Sequence, residues 1–125
     1  MAGLIPHLIA GGVLYFIGRY YYQDYFQGEQ AMERKLLLAF LCVFLSVIPD
    51  VFIGTYYTTH ILSFDTLMPY QIFAHYMFLP IGIIGFAVLA FLLDIKRKPL
   101  WSMAFCALLL HFLMDLLLNE TGLLF

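Results

Sequence analysis

The sequence predicts an all-α polytopic membrane protein, a bundle of about four transmembrane helices with both termini outside. Three observations carry that prediction. Of the 125 residues, 64% are hydrophobic and 11% are charged, against about 25% charged in a soluble domain. Four apolar segments, at residues 3–22, 36–54, 70–93 and 100–118, each approach the roughly 20 residues that a helix needs to cross hydrocarbon. Lysine and arginine gather at the connections on one side only.

The first segment lacks a basic stretch before its apolar run, and no A-x-A site follows it, so it is expected to stay in the mature protein. It ends in an aromatic cluster, Tyr20, Tyr21, Tyr22, Tyr25 and Phe26, that suits a membrane interface better than a platform for stacking bases. A polar connection, residues 23–35, leads to the second segment, where Pro49 is expected to kink the helix and free backbone groups. Residues 55–69 read as a loop of mixed character. Pro80 should kink the third segment as Pro49 does the second. A basic turn, residues 94–99, precedes the fourth. No strand-length alternation recurs, which leaves helices as the spanning form. Gly11, Gly12, Gly82 and Gly85 mark faces for close helix packing. The whole chain, 1–125, reads as one transmembrane helical domain.

Basic residues set the orientation. Arg19, Arg34 and Lys35 flank the first connection, and Lys96, Arg97 and Lys98 form the third. The 55–69 connection and both termini carry no lysine or arginine. The positive-inside rule then places both basic connections in the cytoplasm and the termini outside. The expected location is a prokaryotic plasma (inner) membrane. A net charge of −2 without a basic stripe excludes a nucleic-acid partner. Cys42 and Cys106 lie in apolar runs without a CxxC pattern and read as small buried hydrophobes. Asn119-Glu120-Thr121 matches a glycosylation sequon close to a membrane end.

Few ionisable residues fall inside the apolar segments: His7, Asp50, His75, His111 and Asp115. Such groups cost a few kcal/mol in hydrocarbon and turn inward to partners. Every segment contributes at least one. Measured from the cytoplasmic end at about 1.5 Å per residue, they lie roughly 22, 21, 27, 16 and 22 Å up, in the outer half of a core about 30 Å thick. Two segments run up and two run down, so proximity in sequence does not produce this alignment. His111 and Asp115 stand four apart, on one helical face. Three imidazoles and two carboxylates form a nitrogen/oxygen donor set suited to zinc, and also acceptable to manganese or iron, as one ion or two with Asp115 shared. A divalent metal there would make hydroxide available near neutral pH. His60 and Asp65 read as solvated residues of the outer loop. Asp24, Glu29 and Glu33 read as a solvated cytoplasmic face, and Glu120 is a weak candidate for proton transfer.

The same residues carry a resemblance. IPHLIAGG near the start, SVIPD in the second segment, AHYMFLP in the third and LLLHFLMDLLLNETGLLF at the end resemble the small membrane-bound metal-dependent hydrolase family. That family is itself similar to the zinc-dependent phospholipase C and P1-type nuclease group. The resemblance spans most of the chain. It implies His7 as the N-terminal histidine, Asp50 as the Pro-Asp aspartate, His75 as the third-segment histidine, and His111 and Asp115 as the H-x-x-x-D pair. Phe52 stands where the family often has a second acid, and Tyr70-Gln71 where it often has His-Arg.

The expectation is a membrane-embedded, metal-dependent enzyme that hydrolyses a phosphoester of a lipid or lipid-linked substrate near the outer leaflet. His7, Asp50, His75, His111 and Asp115 would bind metal, with Asp50, His111 and Asp115 catalytic. Membrane lipids are the expected partners. The rival reading is a non-catalytic accessory subunit of a larger membrane complex, binding partner helices, or a haem or pigment through histidine.

Overall fold

The computed structural model describes the backbone of residues 4–121 and the side chains of residues 4–117. Glu120 and the side chains of the Asn119 sequon lie outside the described residues. Among the described residues every regular element is helical. Helix α1 spans Leu4–Tyr21. A 3-10 turn, Gln23–Phe26, leads to α2, Ala31–Val47. A second 3-10 turn, Ile48–Asp50, joins α2 to α3, Val51–Thr59. Helix α4, Phe64–Phe73, runs through a π turn, Ala74–Phe78, into α5, Leu79–Val88. A second π turn, Leu89–Leu93, and a 3-10 turn, Ile95–Arg97, lead to α6, Lys98–Thr121.

The segments thus form four helical rods. Three of them, Ala31–Thr59, Phe64–Leu93 and Ile95–Leu117, are long and apolar enough to cross a membrane. Their surfaces fit that solvent: Leu36, Phe40, Ile81, Phe91 and Leu117 all lie exposed. In α1, His7, Arg19 and the terminal tyrosines dilute an otherwise apolar run of 18 residues.

Small residues set how closely the rods approach. A Cβ on Gly11 would sit 2.8 Å from the Cys42 carbonyl oxygen and 2.9 Å from Val43 Cα, so α1 rests directly on the backbone of α2. Gly18 meets the Met103 side chain of α6. Ala104 and Ala107, fully buried, bring α6 against its neighbours. Leu14, Leu38, Leu41, Leu45, Leu79 and Leu108 fill the space between. The α5 rod docks on α6 where Leu108 presses on Gly82, at 2.7 Å from the position of a Cβ there.

The 55–69 connection differs from its expectation as a loop. Most of it is helix, and only residues 60–63 turn. Its threonines return their hydroxyls to the backbone four residues earlier: Thr55 to Val51 O at 2.7 Å, Thr58 to Gly54 O at 2.8 Å and Thr59 to Thr55 O at 2.8 Å. These bonds let a polar stretch stay helical. His60 ends α3 with φ 52°, and Ser63 caps α4 by accepting from Thr66 N. The two central rods, 29 and 30 residues, are therefore roughly 45 Å long and outreach a core of about 30 Å. Pro49 breaks its helix into a 3-10 turn, as expected of a proline there. At Pro80 the irregularity falls upstream, in the π turn.

Candidate metal centre

Four rods deliver polar side chains to one interior point. His7 comes from the second turn of α1, Asp50 from the break after α2, His75 from the π turn, and His111 and Asp115 from successive turns of α6. All five residues selected by depth in the sequence meet. His7, Asp50 and His111 are buried, at 0%, 3% and 1% exposure.

The contacts are dense. His7 Nε2 lies 3.1 Å from Asp50 Oδ2 and 3.2 Å from Asp115 Oδ1. His75 Nε2 lies 2.8 Å from Asp115 Oδ2 and 3.3 Å from Asp50 Oδ1. His111 Nε2 lies 3.3 Å from Asp115 Oδ2 and 3.9 Å from Asp50 Oδ2. The His7 and His111 rings stack with centroids 4.0 Å apart. Ligand atoms of His7, Asp50, His111 and Asp115 all lie within 4.8 Å of one another, and His75 adjoins this group on its α4–α5 side.

Tautomers decide what can sit between these atoms. His111 Nδ1 lies 2.7 Å from the Ser46 carbonyl oxygen. A carbonyl only accepts, so Nδ1 carries the hydrogen and a neutral ring presents a bare lone pair at Nε2. His75 Nδ1 lies 3.0 Å from the Gln71 carbonyl oxygen, closer than its 3.2 Å to the Gln71 amide nitrogen. The shorter contact makes Nδ1 of that ring a donor too. Both Nε2 lone pairs then face carboxylate oxygens, an arrangement that is repulsive unless a cation or extra protons lie between them. Asp50 Oδ2 makes the same point. It is buried and lies 3.1 Å from His7 Nε2, yet it accepts no hydrogen bond, so the distance is short while the direction is wrong.

The geometry fits a metal ion. Tetrahedral bonds of 2.0–2.2 Å to N and O place neighbouring ligand atoms about 3.4 Å apart. The four contacts among His7, Asp50, His111 and Asp115 run from 3.1 to 3.9 Å, two of them to different oxygens of Asp115, and one donor atom from each residue lies within 4.8 Å of the others, a group slightly wider than such a sphere. Metal-binding histidines characteristically anchor their other ring nitrogen to a carbonyl or carboxylate, as His111 does on Ser46. The group can hold a metal. Its donors do not select one among zinc, manganese and iron.

Gln71 was not singled out from the sequence. It is 2% exposed and donates from Nε2 to Asp50 Oδ1 at 2.8 Å. Its Oε1 accepts from Ile53 N at 3.3 Å, a backbone donor in the first turn of α3, beyond the proline break. The same side chain therefore satisfies the broken helix and steers the carboxylate. A glutamine four residues before His75 inside an apolar rod was the available signal. Ser46 was missed for a plainer reason: its contribution is a carbonyl, which any residue supplies.

His60 and Asp65 lie exposed at the 60–63 turn and at the start of α4, as expected of solvated residues. Opposite the site lie Arg19, Arg34, Lys35, Lys96, Arg97 and Lys98, which are all six lysines and arginines. None of them forms an ion pair with Asp50, whose ion-pair partners are His7, His75 and His111. A cleft of about 450 Å³ opens beside the site between α4–α5 and α6, with Gln71, His75 and Asp115 in its wall. Compared with known proteins, the chain matches no family model, no curated protein and no solved structure.

Proposed function

We propose that this protein spans the membrane four times, with both termini outside, and is a metal-dependent hydrolase. Its substrate is a phosphoester of a lipid or a lipid-linked molecule near the outer leaflet. One observation carries the reading: two carboxylates and three imidazole Nε2 atoms from four rods converge on one interior point. Two carboxylates held this close inside an apolar bundle repel one another, and a divalent cation between them relieves that repulsion.

His7, Asp50, His111 and Asp115 hold the ion, and His75 stands on the cleft side within reach of both carboxylates. A second ion beside His75 would share those carboxylates, and elemental stoichiometry separates the two cases. When bound, the metal supplies Lewis acidity and an acidified water. The chain supplies the rest. Ser46 O fixes the His111 tautomer, Gln71 orients Asp50, and the apolar wall of the cleft limits water to the site. Hydrolysis adds one water across a P–O ester bond and releases an alcohol and a phosphate. The resemblance of IPHLIAGG, SVIPD and H-x-x-x-D to the membrane-bound metal-dependent hydrolases points the same way. The rival reading, a haem- or pigment-binding subunit, needs an imidazole nitrogen aimed at a planar ligand, whereas here every Nε2 faces carboxylate oxygens.

The test is elemental analysis of detergent-purified protein beside its visible spectrum. The expected result is about one divalent metal per chain, its loss in His111→Ala and Asp115→Asn, and chelator-sensitive release of phosphate or a phosphorylated headgroup from phospholipid vesicles. Unchanged metal content in both variants, or a haem or pigment band, overturns the proposal.

A further inference from the structure

The α4–α5 rod is the least embedded of the three long ones. Only 11% of its apolar window is buried, against 33% for each of the others. It touches α6 firmly at the Gly82–Leu108 contact. Outward of that point the rod and α6 leave the cleft between them. Its inner end is polar, at Gln71, His75 and Asp115, and the rest of its lining is apolar or aromatic. Its lips, Ile72 and Tyr76 on one side and Phe112 and Leu116 on the other, are 50%, 77%, 46% and 51% exposed. In a bilayer those lips face hydrocarbon.

We propose that this cleft is a sideways gate for the substrate, and that the occupant is a membrane lipid. One hydrocarbon chain lies between Leu79 and the Phe112–Leu116 edge, and the polar end of the lipid reaches His75 and Asp115. This rests on the hydrolase reading and specifies its substrate as one that stays in the membrane. The two halves of the cleft argue for one amphiphile. A purely aqueous phosphoester would meet an apolar wall without a lysine or arginine to hold it. A chain sliding in from the bilayer leaves one apolar surrounding for another, so its tail never crosses water. A volume of about 450 Å³ falls in the usual range of about 300–1,000 Å³ for small-molecule sites. That range suits part of a lipid and excludes a transmembrane helix from a partner.

The experiment places the full-length protein in phosphatidylcholine vesicles doped with a phosphatidylcholine that carries a mid-chain diazirine. After photolysis, cross-links are mapped by mass spectrometry. Ile72, Tyr76, Phe112 and Leu116 should label several-fold more than Phe16 and Phe40, which are at least as exposed as most of the cleft lips but lie on α1 and α2, away from the cleft. Leu116→Trp should cut the cleft labelling several-fold while metal content, the measure of an intact fold, is retained. Should that variant lose metal, Ile72→Trp closes the opposite lip and is read the same way. Uniform labelling over all exposed apolar residues, or full labelling in a metal-loaded tryptophan variant, overturns the proposal. Selective labelling without any phospholipid turnover would leave the gate standing and remove the hydrolase reading. Turnover with uniform labelling would do the reverse.

Discussion

The two ends of the bundle handle charge in opposite ways. At the basic end, cytoplasmic in the proposed topology, the charges are exposed or half-buried and individually placed. The Arg34 guanidinium lies 4.5 Å from the Tyr25 ring centroid, and its Nη1 donates to Tyr25 O at 2.8 Å, pinning the turn that Gly28 completes at φ 87°. Trp101 donates to Asp94 at 3.1 Å. Each group there has water or headgroups within reach. At the other end the charged groups are buried or half-buried, drawn from four rods and aimed at one another. The first arrangement fixes how the bundle sits. The second gains nothing for the fold on its own, because well-packed apolar residues would cost less than a buried and a half-buried carboxylate. That contrast points to a ligand at that end.

Substitutions at the two ends should separate accordingly. The largest effect belongs to Asp115→Asn, which alters the residue in contact with all three histidines. Losing a partner of a metal ligand costs about 10–100-fold in affinity. Losing the ligand itself should exceed that, measured by competition with a chromophoric chelator. Gln71→Ala should weaken binding by about 10–100-fold in the same assay, with the helical circular dichroism signal kept. Gly11→Ala forces α1 away from the Cys42–Val43 backbone. About 1–3 kcal/mol of stability should go, seen as a lower unfolding temperature in detergent, and metal affinity should fall with it as His7 is displaced. Arg34→Ala should cost least, about 0.5–1 kcal/mol, and leave metal content untouched. Metal loss in Arg34→Ala equal to that in Asp115→Asn would erase the distinction between the ends.

Much of this was legible beforehand for a physical reason. Hydrocarbon penalises every polar atom, so a histidine or aspartate in an apolar run is conspicuous, and a shared depth picked out the five residues that the fold brings together. The helical rods followed from length and hydropathy. What escaped was what polarity alone does not mark. Residues 55–69 read as a loop because threonines look polar, although their hydroxyls are spent on their own helix. Gln71 is uncharged, and its role depends on the Ile48–Asp50 break, which leaves Ile53 N, eighteen residues before it, as a donor. The π turn has no composition signature at all: Ala74, His75, Tyr76, Met77 and Phe78 would suit a regular helix equally well.

That turn makes the site sensitive to the number of residues in the chain as well as their identity. A π turn accommodates one residue more than an α-helical turn. Deleting Met77 alone would restore a regular helix and leave the residues before the turn facing nearly as they do now relative to α5, because the wide turn had already absorbed that residue. Gly82 would still seat Leu108, and the rods would still assemble. One residue inserted between the turn and Gly82, with no second wide turn to absorb it, would instead swivel Gln71 and His75 by about 100°, leaving a bundle of almost unchanged shape with its polar centre dismantled.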